Sequence, residues 1–271
     1  MSTSLASTLS PSKISRFTQC PLAFKYSYID RLPEPPTIQQ VRGTLAHAAL
    51  ERLFADNDDD ERTVDRAEDA LTETWAGRHS RSEYVELGLD ERQEAQLLEE
   101  LRVLIARYFE LEDPKSIHPR GLELRLRAEV EGVELNGIID RLDDVGDGDF
   151  CVVDYKTGSS PGETRTRSSF NGVNFYAVLC EENFGRAPVE VRLMYLKDRV
   201  VLVQSVTEQA VRSSRLRALA VWSAIERACE KEVFRPNPSP LCRFCAFRSL
   251  CPVFANASGA GMDPGKARTA R

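Results

Sequence analysis

The stretch GIIDRLDDVGDGDFCVVDYKTG, residues 137–158, constrains the fold more than any other part of the 271-residue chain. It holds two apolar runs, each ending in an acid, Asp140 and Asp154, around a turn rich in Gly and Asp. Such runs read as a pair of β-strands. Side chains of a strand alternate faces, so Asp154 and Lys156 point one way and Tyr155 the other. Asp140, on the neighbouring strand, is within reach of the same spot. Two carboxylates and an ammonium at the rim of a sheet suit a hard divalent cation and a charged substrate oxygen. The acids of DDVGDGD miss the alternating positions of a calcium-binding loop, so a hairpin turn is the better reading.

The same alternation extends on both sides. LELRLRAEVEGVELNGIID, starting at Leu122, predicts two strands with a turn near Gly132, the second ending at Asp140. FCVVDYK (150–156) is a third strand, and VEVRLMYL followed by residues 200–206 forms a hairpin turning at Lys197–Arg199. Helical spacing marks about 40–55, 63–79, 90–111, 170–184 and 207–233. A helix beginning near Ser10 should break at Cys20, because Pro21 disfavours helix in the residue before it. LPEPPT (32–37) is a loop, 56–61 is an acidic loop and 157–168 a polar one; the Gly/Ala-rich tail from 256 is expected to be disordered. Helices at about 40–111 thus precede a sheet core at about 121–206, within one α/β domain spanning 1–255.

A net charge of −6 argues against a surface coated for bulk nucleic-acid binding, though not against a local basic groove. Arg120, Arg125 and Arg127, then Arg165 and Arg167, then Arg212, Arg215 and Arg217 could supply one, and each cluster reads equally as a solvated face. No apolar run is long enough for a membrane span, and the N-terminus lacks a signal-peptide core, so a cytoplasmic protein is expected. In that compartment the seven cysteines point to metal or buried thiols rather than disulfides. Cys151, Cys180 and Cys229 lie within apolar patterns and read as core. Cys242, Cys245 and Cys251, spaced C-x2-C-x5-C, with Cys20 as a fourth, suit a four-thiolate centre. Zinc and an iron–sulfur cluster are both compatible with that set. Either would tie together segments some 222 residues apart. His47 shares a helix face with Glu51. A lone helical histidine is more often structural, yet its imidazole could complete a site opened by two aspartates.

Five stretches in order, SKISRFTQCPLAFKY (12–26), RGTLAHAALE (42–51), GIIDRLD (137–143), VVDYKTG (152–158) and CRFCAFRSLCP (242–252), together resemble the RecB-like exonucleases of the PD-(D/E)XK nuclease superfamily. The likeness is to their iron–sulfur branch, which includes the AddB nuclease domain and CRISPR-associated RecB-like exonucleases. The resemblance implies a restriction-endonuclease-like mixed central sheet flanked by helices, with an N-terminal helical portion and an iron–sulfur staple joining the termini. It implies that His47, Asp140 and Asp154 ligate Mg²⁺ or Mn²⁺ with the Tyr155 carbonyl, and that Lys156 holds the attacking water or stabilises phosphate charge. Asp140, Asp154 and Lys156 are then catalytic, and Cys20, Cys242, Cys245 and Cys251 hold a [4Fe-4S] cluster in segments 12–28 and 236–252. The family often carries a Gln-Leu pair four residues before a helix Tyr; here Gly172 and Val173 stand there, leaving Tyr176 as a support residue. The implied activity is exonucleolytic cleavage of DNA at single-stranded ends. No helicase motif is present, so a helicase or other repair subunit would be a separate partner. The alternative is a non-catalytic DNA-binding or adaptor subunit of a recombination or repair complex that keeps the fold.

Overall fold

A computed structural model describes residues 8–56, 58–162, 166–170 and 172–255. The expected tail from 256 and Arg165 therefore lie outside the described residues. Contacts gather the chain into two compact units: Met1–Glu34 with Glu129–Leu135 and Leu216–Arg271, and Pro35–Ala128 with Asn136–Arg215.

In the first unit, helix α1 (Pro11–Gln19) begins where the Ser10 hydroxyl accepts from the Lys13 amide, with Pro11 at the first helical position. It ends at Cys20, as Pro21 demands. A short helix α2 (Pro21–Phe24) follows and widens into a π-type turn, Lys25–Ile29. Leu9 bridges to Leu135 in parallel fashion.

The second unit carries the sheet core. Helix α3 (Ile38–Ala55) starts with a reciprocal cap between Thr37 and Gln40. Helices α4 (Val64–Arg78) and α5 (Glu91–Tyr108) follow, the latter capped the same way by Asp90 and Gln93. Leu45, Leu50 and Leu53 of α3, Ala67 and Leu71 of α4, and Leu97, Leu101 and Ile105 of α5 enclose one core with Cys151, Val153, Tyr155 and Met194. Those last residues are the inward face of a five-stranded sheet in the order β1-β2-β3-β4-β5: Pro119–Val130, Val133–Gly146, Asp149–Lys156, Glu190–Tyr195 and Val200–Ser205. β2 and β3 are antiparallel, β3 and β4 parallel, β4 and β5 antiparallel, so the sheet is mixed. The parallel pair needs a crossover, which helix α6 (Asn174–Phe184) provides. Helix α7 (Glu208–Glu230) ends the regular structure before the cysteine segment.

The strand β2 departs from expectation. It does not end at Asp140 but runs on to Gly146, placing Asp140 in mid-strand. Asp143 and Asp144, turn-like in composition, are strand residues because each meets a guanidinium. Arg141 Nε lies 2.8 Å from Asp143 Oδ1, and Arg120 Nε lies 3.2 Å from Asp144 Oδ2. The turn contracts to Asp147 and Gly148, both left-handed (φ 53° and 76°), as a two-residue hairpin of matching twist requires.

Arg141 is fully buried on the core side of β2. Its guanidinium donates to both Glu112 oxygens (2.6 and 3.0 Å), Asp143 (2.8 Å) and the hydroxyls of Tyr155 (2.7 Å) and Tyr108 (3.2 Å). It also stacks over Phe54, 4.7 Å from the ring centre. Removing one partner of a buried ion pair strands the other charge, typically at a cost of about 3–5 kcal/mol. Arg141→Met, which keeps the volume but abandons Glu112 and Asp143, is therefore expected to lose stability of that order in urea denaturation. An unchanged midpoint would show that the cluster does not hold the sheet to its helices.

Candidate active site

The helix α3 carries His47 to the end of β3. Its Nε2 lies 3.0 Å from the Tyr155 carbonyl oxygen, and its Nδ1 lies 3.5 Å from Asp140 Oδ2. The Tyr155 amide donates to the same Asp140 oxygen at 2.8 Å. Burial alone would push the imidazole pKa down. The hydrogen bond and charge of Asp140, with the charge of Asp154, outweigh it and raise the pKa to about 9. In the metal-free protein His47 is thus an imidazolium, with both ring nitrogens facing acceptors.

A third group joins them that strand alternation did not single out. Glu123, from the middle of β1, brings its carboxylate to His47 and Asp140, so that one ligand atom from each lies within 4.8 Å of the others. Glu123 is non-glycine yet left-handed (φ 43°), a conformation that usually costs about 1–3 kcal/mol and collects at functional sites. Its carboxyl pKa is raised, first by burial and then by the Asp140 charge. In the sequence it looked like one polar member of an alternating strand. Its backbone outlier is the signal, and only the structure displays it.

Asp154 and Lys156 share a face of β3, as alternation requires, and form a close ion pair. Asp154 is buried, which pushes its carboxyl pKa up against the pull of Lys156. For Lys156, burial works against the ammonium, but the charge and hydrogen bond of Asp154 outweigh it and keep the group charged. Tyr176, on α6, is kept protonated by burial and by the negative charges of Asp154, Asp140 and Glu123. Gly137 makes its approach feasible: a Cβ there would lie 2.8 Å from Tyr176 Cε1 and 2.9 Å from Leu179 Cδ1. The structure thus brings His47, Asp140 and the Tyr155 backbone together and sets the Asp154–Lys156 pair on the adjoining strand end. Asp154 is not a member of the tight trio, and Glu123 is. Among the basic clusters, Arg120 pairs with Asp144, and Arg215 with Glu181 and Glu182.

The donor set fits a hard or borderline divalent ion. Three side chains offer one nitrogen and two carboxylates, the mixture that suits Mg²⁺- and Mn²⁺-type ions. Bonds of 2.0–2.1 Å in an octahedron put neighbouring ligand atoms roughly 3 Å apart, and the 3.0 Å from His47 Nε2 to the Tyr155 carbonyl matches that spacing.

The cysteines gather elsewhere, within the first unit. Cys20, Cys242, Cys245 and Cys251 line one cavity of about 510 Å³ together with Arg16 and Arg248. Amides donate to two of the sulfurs, Asn237 to Cys20 (3.5 Å) and Ser239 to Cys242 (3.3 Å), and the Asn237 side chain bonds the Gln19 carbonyl (2.8 Å). Cys151, Cys180 and Cys229 are buried core residues, as read.

The profile of the PD-(D/E)XK nuclease superfamily matches residues 8–252, and the chain belongs to that superfamily. Two phage proteins are similar to it over 90% of its length and 96% of theirs. They are the gene 69 proteins of Mycobacterium phage D29 (26% identical) and of Mycobacterium phage L5 (24% identical). A crystal structure of a candidate exonuclease from Eubacterium rectale shares the fold with a TM-score of 0.59, covering 94% of both chains at 13% identity. Among the described residues no helix is long and apolar enough to cross a membrane.

In EDTA, the His47 ring should titrate near pH 9 by NMR, and Asp140→Asn should bring it down towards the ordinary value near 6.5. The sign follows from linkage. Because the folded pKa lies above the unfolded one, the His47 contribution to stability is complete below about pH 6.5 and fades as pH rises through about 9. A ring titrating at its ordinary value in the unsubstituted protein would contradict the Asp140 pairing.

Proposed function

We propose that this protein is a metal-dependent DNA nuclease, working as an exonuclease on single-stranded ends with Mg²⁺ or Mn²⁺. The observation that carries this reading is the convergence of His47, Glu123 and Asp140 beside an Asp154–Lys156 pair on the next strand end. His47, Asp140, Glu123, Asp154 and the Tyr155 carbonyl would hold the ion. When bound, it polarises a phosphoryl oxygen and lowers the pKa of a bound water. The chain's own groups do the rest. Lys156, kept charged by Asp154, places an ammonium where the pentavalent phosphate gains negative charge, or positions the attacking water. Tyr176 remains a hydrogen-bond donor on the same face. The residues up to 255 would serve as one nuclease domain, in the cytoplasm, with a separate helicase or repair subunit as partner. The exonuclease assignment draws on the RecB-like resemblance and on the E. rectale fold neighbour.

We further infer that Cys20, Cys242, Cys245 and Cys251 hold a [4Fe-4S] cluster. Zinc bonds of about 2.3 Å to four thiolates set sulfur–sulfur edges near ~3.8 Å. Among the described residues no three cysteine sulfurs lie within 4.8 Å of one another, which favours a wider centre.

Anaerobically purified protein with Mn²⁺ should shorten end-labelled single-stranded DNA. Asp154→Asn and Lys156→Ala should each lower the rate by roughly 10²–10³-fold, the scale of losing one preorganised transition-state contact, with the fold intact by circular dichroism. DNA retarded in gels but never consumed would favour the adaptor reading. The same preparation should be brown, with a broad absorbance near ~400 nm; a colourless protein with one equivalent of zinc would refute the cluster.

A further inference from the structure

Gly43 lies in the interior of α3, one helical turn before His47 and on the same side. A glycine there weakens the helix relative to alanine by about two- to fivefold in the folding equilibrium. Nothing in the protein asks for it. Its φ is outside the left-handed region, and a Cβ at this position would meet a single atom, Thr157 Oγ1, at 3.8 Å, an ordinary contact. The contrast with Gly137, where a Cβ would strike Tyr176, is direct. Gly43 is only half-buried, so the space beside it opens outwards. Thr157 follows Lys156 immediately, so the bare helix surface at Gly43 faces the strand end that bears Asp154 and Lys156.

We propose that the gap between Gly43 and Thr157 is the lane through which the sugar–phosphate backbone of the nucleic-acid strand reaches the site. Glycine is the residue that lets a ligand approach a protein backbone closely. Here it bares the helix one turn from His47, where a polymer running towards Lys156 must pass. This rests on the nuclease reading above and adds to it a substrate-clearance role for Gly43.

Three variants test it: Gly43→Ala, Gly43→Leu, and Thr44→Leu as a control on the exposed neighbouring position. Binding is read by anisotropy of a fluorescein-labelled 15-nucleotide single strand in Ca²⁺, cutting in Mn²⁺, ion affinity by Mn²⁺ titration, and stability by urea. Gly43→Ala should stabilise the fold by about two- to fivefold in the unfolding constant while weakening DNA binding. Gly43→Leu should weaken DNA binding and raise KM by at least ~10-fold, a difference of about 1.4 kcal/mol, at unchanged Mn²⁺ affinity. Thr44→Leu should change neither. A merely structural glycine would not give more stability together with poorer binding. Wild-type binding and KM in Gly43→Leu would overturn the lane while leaving the nuclease reading in place. Loss of Mn²⁺ and DNA affinity together would overturn it too, since Gly43 would then act through His47. Wild-type protein that neither binds nor cuts DNA would bring down the nuclease reading and the lane with it.

Discussion

The guanidinium of Arg141 is the interaction on which the candidate site depends. It is next in sequence to Asp140, and because strands alternate it lies on the opposite, core side of β2. There it binds the Tyr155 hydroxyl, and Tyr155 stands between Asp154 and Lys156 on β3. One buried cation thus fixes the back of both strands whose fronts carry the acids. Glu112 and Tyr108 bring the end of α5 into the same cluster. Burying so many polar groups is acceptable only because they satisfy one another, and a half-satisfied version would be worse than an apolar core. The arrangement gives rigidity where a metal site needs it, since ligands must be held to within a fraction of an ångström.

The front of the sheet is the electrostatic converse. Asp140, Asp154 and Glu123 crowd together with a histidine and a lysine, and the carboxyls of Glu123 and Asp154 are pushed up in pKa by burial and by each other's neighbourhood. Without an ion the cluster recruits protons: His47 becomes an imidazolium wedged between Asp140 and the Tyr155 carbonyl. A divalent ion would replace that proton with a larger charge, so ion binding and proton release are linked. The left-handed backbone at Glu123 belongs to the same picture. Local strain persists where surrounding structure over-determines it, and here it turns a carboxylate towards Asp140 and His47.

Much of this was legible in the chain itself. The alternation of FCVVDYK fixes Asp154 and Lys156 on one face, and helical spacing turns His47 inward, because both periodicities are local properties of the backbone. The parallel–antiparallel order was not readable, nor was the length of β2. Asp143 and Asp144 look like turn residues until Arg141 and Arg120 neutralise them. Arg141 itself gives no sign of burial, since its partners Tyr108 and Glu112 are 33 and 29 residues away. Glu123 escaped for a related reason: which carboxylate meets Asp140 is decided by strand placement and one backbone outlier, neither of which composition encodes.

The cysteine cavity obeys a different logic from the acidic site. In the proposed cluster four thiolates must be deprotonated at once, which in an apolar pocket would be costly. The residues Val233–Ala255 contain Arg235, Arg243 and Arg248 but no acid. Arg248 lines the cavity with Arg16 from α1, while two backbone amides point at sulfurs. Hydrogen bonds and nearby charge are the levers by which a protein tunes such a centre. Here they come from a segment whose prolines at 236, 238 and 240 remove alternatives to that backbone path. The acidic site gathers negative side chains to attract a cation. The cysteine segment instead surrounds its thiols with positive charge and amide donors, which lower the cost of ionising them. Each pocket's chemistry can be inferred from what its neighbours neutralise.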